Sequence, residues 1–248
     1  MMPTVSLAEK QRQFNAAMER YSQWRGYYWL GQTVSVVIVG SQILLAVLLV
    51  DRGQEMLPIN LWILILVLVA AYIAADGING LVHLFMDNHD DYVSLFGPLV
   101  ASFHLHHRTP RYARNPLWFV YFRESGSKLW LALGMILAVF AVWFWHLHPL
   151  VATGILAFSV FSSAAEVSHY LCHTSDAGWV RFLGRIRILL SARLHARHHV
   201  ADNVDYAFLN GMTNPVINLV ARHFFKGYKQ RSDLHYATYI GPQTANRQ

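Results

Sequence analysis

Apolar residues in this chain fall in long unbroken blocks, with neither the strict alternation of half-buried strands nor the narrow stripe of a soluble amphipathic helix. The blocks Leu30 to Val50 and Leu57 to Ala75 approach the ~20 residues that a helix needs to cross hydrocarbon. The pattern predicts four spans. They run from Trp29 to Val50, from Pro58 through Ala75 into Asp76 and beyond, from Leu129 to about Trp145, and from Pro149 to about His173. A tight polar turn, Asp51 to Gln54, separates the first pair, and His146, Leu147, His148 and Pro149 separate the second. Ahead of the first span, Leu7, Phe14, Met18 and Tyr21 recur at helical spacing, and Tyr27, Tyr28 and Trp29 stand at its entry. Residues 1–28 are therefore expected to form an interfacial amphipathic helix with an aromatic belt. A signal peptide is excluded, because the apolar run starts late, is too long and meets no small-residue cleavage site. Without internal repeats or low-complexity stretches, residues 29–248 read as one domain. The expected fold is all-α: an integral membrane protein with about four transmembrane helices, plus interfacial and cytosolic helices carrying a histidine cluster.

Composition sharpens this. Of 248 residues 54% are apolar and only 14% charged, against about 25% charged in an ordinary soluble domain, which removes disordered and solvated-linker classes. The single cysteine, Cys172, allows no intramolecular disulfide and no cysteine-based zinc or redox motif, and on an apolar helix it reads as a small packing residue. The net charge of +6 reflects loops and lipid headgroups, and nucleic acid is excluded for want of a reader motif. Lys and Arg number four before residue 29, one in the first turn, five from Arg108 to Lys128, none in the second turn and ten from Arg181 onward. The positive-inside rule then puts both termini and the central stretch in the cytoplasm. Of the 14 histidines, only His146 and His148 fall on the outer turn; twelve gather on the inner face.

Those twelve carry the chemistry. At the end of the second span Asp76, His83 and Asp87, separated by seven and four residues, share one helical face. An ionisable residue there is costly unless paired or functional; capping or contact with interfacial water is the plainer alternative for either aspartate. His104, His106 and His107 lie in a central stretch too short to assign to helix or strand, where a solvated basic patch is the alternative. In the fourth span His169 and His173, at i and i+4, face one way and can chelate one ion, the alternative being a polar seam between helices. Of His195, His198 and His199, two or three can converge on one face if their segment is helical. Neutral imidazole is the commonest metal ligand, and donors from separated segments are what closes a site. Eight histidines, namely His83, His106, His107, His169, His173, His195, His198 and His199, exceed what one tetrahedral ion accepts, so two metals are implied. Nitrogen-rich ligation suits Fe, Cu or Zn. A dizinc site would imply hydrolysis, whereas diiron permits O2 activation and attack on unreactive C–H bonds, which a lipid chain offers in abundance.

The stretch Ala75 to Asp87, with Phe103 to Pro110, His169 to His173 and His195 to His199, resembles the Kua/CarF lipid desaturase family, whose members include plasmanylethanolamine desaturases and a plastid phosphatidylglycerol desaturase. The motifs match in order and spacing from about Ala75 to Phe225, while Leu194 stands where some relatives carry a further histidine. The resemblance implies a non-haem diiron oxidase, with two Fe ions, that takes two hydrogens from a phospholipid chain close to the glycerol. It uses O2 and electrons from a donor of the cytochrome b5 or ferredoxin type. The expected product is plasmenylethanolamine, a vinyl ether, made from plasmanylethanolamine. A phosphatidylglycerol acyl-chain desaturase, a lipid or carotenoid hydroxylase and, outside enzymes, a membrane metal-binding or transport protein are the alternatives. Carried onto this chain, the resemblance makes the eight histidines and Asp87 metal ligands, with Asp76 and Glu166 supporting an imidazole from behind. It offers no counterpart for His89, His104, His223 or His235, which are expected at the surface or substrate edge. Neither a substrate-binding residue nor the oligomeric state is indicated. Lack of a cleavable leader favours a bacterial inner membrane, with endoplasmic reticulum as the eukaryotic equivalent.

Overall fold

The computed structural model describes residues 6–51, 60–108, 114–201 and 203–225, apart from the side chains of Leu7, His106, His107 and Arg108. The expected turn at 51–54 falls almost wholly outside these residues, as does His235. All regular structure among them is helical: α1 Leu7–Gln23, α2 Arg25–Asp51, α3 Leu61–Asp87, α4 Gly97–Arg108, α5 Leu117–Glu124, α6 Leu129–Phe144, α7 Pro149–Thr174, α8 Gly178–Arg185, α9 Ala192–Val200 and α10 Asn214–Phe224. Long, mostly apolar runs without an interior proline let α2, α3 and α7 propagate past 25 residues, enough to cross a bilayer. Asn60 starts α3 by accepting from Trp62 N at 2.9 Å, and His148 caps α7 with Nδ1 accepting from Leu150 N at 3.2 Å. The chain is an all-α integral membrane protein.

The expected third span, Leu129 to about Trp145, corresponds to α6, Leu129–Phe144. At 16 residues, α6 is too short to cross alone; it passes as a span only together with Leu117–Ser127, from which it is bent by 93°. The bend has a packing cause: the 3-10 turn Ser125–Ser127 presses Gly126 onto α2 so closely that a Cβ there would stand 2.4 Å from the Gly31 carbonyl. The amino-terminal segment also divides, because Trp24 leaves helical geometry between α1 and α2. On α1, Phe14, Ala17 and Met18 are buried against Tyr92, Val100 and Ala101 at α4. The histidines at 104, 106 and 107, unassigned from sequence, lie on the helix α4.

Two kinds of contact hold the bundle. Val34, Ile38 and Leu45 of α2 pack with Leu131, Met135 and Val142 of α6 and with Ala152 of α7, a dry interface whose worth lies in close fit. Nearer the histidines the interface turns polar and small. Ser159, Ser162, Ser163 and Ala165 line α7, which allows α2 and α3 to approach it closely. Gln42 donates to Ser159 Oγ at 2.8 Å and accepts from the Tyr121 hydroxyl at 2.8 Å, while Asn79 Nδ2 donates to Ser162 Oγ at 3.0 Å. Inside hydrocarbon such groups must bond one another, and so they fix the register of α2, α3 and α7. That register sets the histidines of α3 and α7 at a common level.

Candidate metal centre

Two groups of ligand atoms come together at one end of the spans. His169, His173, His195 and His199 form the first; His83, Asp87 and His198 form the second. The helix α9 serves both. Ser191 starts it, with Oγ accepting from Leu194 N at 3.3 Å, and the nine residues that follow carry three histidines. Spacing allows two or three of His195, His198 and His199 to converge on one face of a helix. In the structure α9 divides them: the i, i+4 pair His195 and His199 faces α7, and His198, offset by a turn fraction, faces α3. The rings of His198 and His199 remain 5.6 Å apart, so the two groups adjoin.

In the first group, His195 Nε2 lies 3.0 Å from His169 Nε2, 2.7 Å from His173 Nε2 and 2.8 Å from His199 Nε2. The Nε2 atoms of His169 and His173 are 3.2 Å apart. One nitrogen carries either a single proton or a single lone pair, so three such approaches cannot all be hydrogen bonds. Four nitrogens around a tetrahedral ion, at bond lengths near 2.1 Å, would be about 3.4 Å apart, and the observed separations of 2.7 to 3.2 Å approach that arrangement from the tighter side. Burial holds both α9 members neutral: desolvation, reinforced by neighbouring imidazoles, pushes His195 well below its ordinary pKa and His199 down to about 3. Neutral rings are the ones that ligate.

The second group fixes its tautomers through the backbone. Nδ1–H of His83 donates to the Tyr206 carbonyl at 2.8 Å, and Nδ1–H of His198 donates to the Val204 carbonyl at 2.8 Å. A carbonyl only accepts, so in each neutral ring Nε2 presents a lone pair. Both Nε2 atoms lie 3.4 Å from Asp87 Oδ2, itself an acceptor. Three electron-rich atoms aimed at one point suit a cation, and an imidazole anchored through its other nitrogen is the usual ligand arrangement. The donors present therefore fit a metal in both groups. His106 and His107 sit on the last turn of α4, and their side chains lie outside the described residues.

Asp76 and Glu166, expected to hold imidazoles, have other partners. Asp76, fully buried on α3, accepts from Asn210 N at 2.9 Å and Gly211 N at 3.1 Å through Oδ1, and from Thr213 N at 2.9 Å and Thr213 Oγ1 at 2.6 Å through Oδ2. It clasps the turn that follows the histidine helix. Glu166 Oε1 meets Lys128 Nζ at 3.0 Å, and this buried ammonium also donates to Asn79 Oδ1 at 2.5 Å and to the Ser162 carbonyl at 2.6 Å. The role of Lys128 leaves no mark in the sequence, since a lone lysine before an apolar run looks like an interfacial anchor. His104, expected at the surface, is buried at 1% exposure. Its Nδ1 accepts from the Tyr92 hydroxyl at 2.7 Å and its Nε2–H donates to the Met86 carbonyl at 2.8 Å, so both nitrogens brace α4 against the end of α3. His223 does lie at the surface, bonded to its own helix at Leu219 O, and His89 stacks on Phe85.

A family model for the lipid desaturase domain matches residues 72–229. This chain belongs to the lipid desaturase family. Neither the curated proteins nor the solved structures contain a match to it. The matched region opens four residues before Asp76 and takes in every histidine of both donor groups, whereas α1, α2 and the first part of α3 lie outside it.

The lipid desaturase encloses its donors in aromatic rings. Phe103, Tyr206 and Phe208 stand edge-on to His83 at 5.3, 5.8 and 5.4 Å, and Phe208 also reaches His169 at 5.7 Å. The Lys128 ammonium lies over the Phe208 ring, 4.9 Å from its centroid. Tyr206, which anchors His83 through its carbonyl, is brought in by a close approach at Gly80, where a Cβ would meet Ile217 at 2.4 Å and the Ala207 backbone at 3.0 Å. These rings pack around the imidazoles at the ends of α3 and α7.

Proposed function

We propose that this lipid desaturase is a non-haem diiron enzyme that introduces a double bond into a phospholipid chain close to the glycerol, converting plasmanylethanolamine to the vinyl ether plasmenylethanolamine. The observation that carries this reading is the pairing of two adjoining donor groups, four imidazoles beside two imidazoles and a carboxylate, joined through one helix. His169, His173, His195 and His199 would hold one iron and His83, Asp87 and His198 the other, with His106 and His107 proposed as further donors. When bound, the pair would supply O2 activation and one-electron oxidation of an unactivated C–H bond. The overall reaction takes two hydrogens from the lipid, draws electrons from a cytochrome b5 or ferredoxin type donor and reduces O2 to water.

The protein's own work is positional. Lone pairs on Nε2 of His83 and His198 stay aimed at Asp87 because both Nδ1 protons are committed to backbone carbonyls. Phe103, Tyr206 and Phe208 exclude water from the face of His83, as a reactive oxidant requires. Placement at the end of the spans brings chain carbons near the headgroup, not the methyl end, within reach, which supports a bond made next to the glycerol. The distribution of Lys and Arg supports cytoplasmic termini and a cytoplasmic metal centre, in a bacterial inner membrane or, in a eukaryote, the endoplasmic reticulum.

Lipidomics of cells with and without the gene, supplied with an alkyl-ether precursor, tests the reading. A vinyl ether lighter by two hydrogens is expected. Unsaturation confined to acyl chains would move the substrate to an ester phospholipid such as phosphatidylglycerol, and a gain of one oxygen would mean hydroxylation. Unchanged lipids, with iron absent from anaerobically purified protein, would overturn it in favour of metal binding without turnover.

A further inference from the structure

The short helix α8 carries three distinct faces. Val180 and Gly184 are buried, Val180 against Val120, Tyr170 and Leu171 at the end of α7. Arg181 and Arg185, at i and i+4, are exposed on a second face. Trp179, Phe182 and Ile186 form the third and are exposed too, Phe182 by 59%. Helix α10 repeats the theme: Ile217 and Ala221 pack on Leu84 near the end of α3, while Val216, exposed by 66%, and Leu219 point away. The two helices are tied where Arg187 donates to the Gly211 carbonyl at 3.2 Å, joining the end of α8 to the turn that opens α10.

Large apolar side chains left outside on two helices need a cover. Their position names it. α10 packs on Leu84 of the spanning helix α3, which itself leaves Ile78, Leu81 and Phe85 exposed, so the outer face of α10 adds to the apolar exterior of a helix read as facing hydrocarbon. On α8 the apolar and arginine stripes lie roughly 120° apart around the helix, so that a helix lying flat with its apolar stripe down holds its guanidinium groups at phosphate level. Arginine prefers phosphate because its planar fork pairs two oxygens at once.

We propose that α8 and α10 form an interfacial collar beside the metal centre, seated in the phospholipid leaflet with their apolar faces in the acyl region and Arg181 and Arg185 bound to anionic headgroups. The collar fixes the depth at which the histidine helix between them sits. This assignment depends on the membrane fold alone and not on the reaction.

The test uses full-length protein in phosphatidylcholine nanodiscs with and without phosphatidylglycerol. In a Cys172→Ala background, spin labels at Phe182→Cys and Leu219→Cys report collisions with O2, which partitions into lipid, and with a water-soluble nickel chelate; Val47→Cys on α2 verifies insertion. Collisions dominated by O2 at 182 and 219 are expected, with nickel prevailing at Arg185→Cys. In parallel, native mass spectrometry should retain phosphatidylglycerol on the wild type and lose it about fivefold per arginine in the Arg181→Gln, Arg185→Gln protein. Nickel-dominated collisions at 182 and 219 in protein whose position 47 reads as lipid would overturn the proposal and mark the face as a protein-docking surface. Equal phosphatidylglycerol retention by wild type and double variant would overturn its headgroup half.

Discussion

Single side chains in this site do separable jobs, and substitution can tell them apart. His198 offers Nε2 to Asp87 while Val204 holds its other nitrogen, so His198→Ala removes a donor without opening the bundle. Partners that merely orient a ligand cost about 10–100-fold when lost, and removal of a ligand should exceed that. Product formation is expected to fall by more than a hundredfold while the variant still inserts and elutes as wild type; full activity would refute a ligand role for His198. Asp76 predicts a different outcome. Its four bonds to the 210–213 turn are charge-assisted and buried, so Asp76→Ala leaves amide protons of Asn210, Gly211 and Thr213 without an acceptor. The expected loss is about 3 kcal/mol or more, seen as a lowered unfolding temperature in detergent, with Asp76→Asn intermediate. A destabilised protein whose remaining folded fraction still binds metal would separate the clasp from the ligands. The pairing of Asp76 with residues over 130 positions away is why its partner could not be read from the chain: helical spacing shows that Asp76 shares a face with His83, but not which later segment meets that face.

At the scale of helices, legibility follows the physics of the solvent. Spans exposed to lipid on most sides are apolar nearly all round, so α2, α3 and α7 announce themselves as blocks in the sequence. The block at 129–145 likewise yields α6, but its 93° bend from α5 does not show, because that bend depends on Gly126 meeting Gly31 across a helix interface, a contact with no local signature. Histidines behave alike: i, i+4 spacing puts His169 and His173 on one face of α7, where their Nε2 atoms lie 3.2 Å apart, whereas the three on α9 are divided between two groups. His104 is buried because its ring bridges Tyr92 and Met86, partners that its place in a histidine-rich stretch does not reveal. The junction of α3, α6 and α7 supplies an element-scale prediction. Lys128 and Glu166 are both nearly withdrawn from solvent, and Asn79 and Ser162 use the remaining ammonium donors. Lys128→Met would leave the Glu166 carboxylate buried without its cation, at a cost of about 3–5 kcal/mol. Adding Glu166→Gln should recover a large part of that loss, because the stranded charge goes with it. Equal stability of single and double variants in denaturant titration would mean that water already reaches the pair.

For the whole molecule, the donor groups act as cross-links between parts that otherwise touch sparingly. One group takes two residues from α7 and two from α9, the other two from α3 and one from α9, so bound metal would pin a nine-residue helix to two spans at once. Apart from those rings, the region around α9 is tied down at its edges: Leu190 N donates to Ser168 Oγ at 2.8 Å before it, and the Asp205 carboxylate meets Arg197 and Asn218 after it. The α2 and α6 interface, by contrast, rests on Ile38, Leu45 and Met135 and contains no donor. Removing metal should therefore loosen the molecule unevenly. A site at a thousandfold excess over its dissociation constant contributes about 4 kcal/mol to the folded state, and that contribution is concentrated where the ligands are. Protein stripped with a chelator under anaerobic conditions is expected to lose hydrogen-exchange protection over residues 192–200 and at the histidine ends of α3 and α7, with α2 and α6 unchanged. Restoring ferrous ion should return protection at close to two ions per chain. Uniform loss of protection across all spans would mean that the metals hold the bundle itself together. Undiminished protection in the stripped protein would mean that the imidazoles are organised without them, and the cross-linking role would fall.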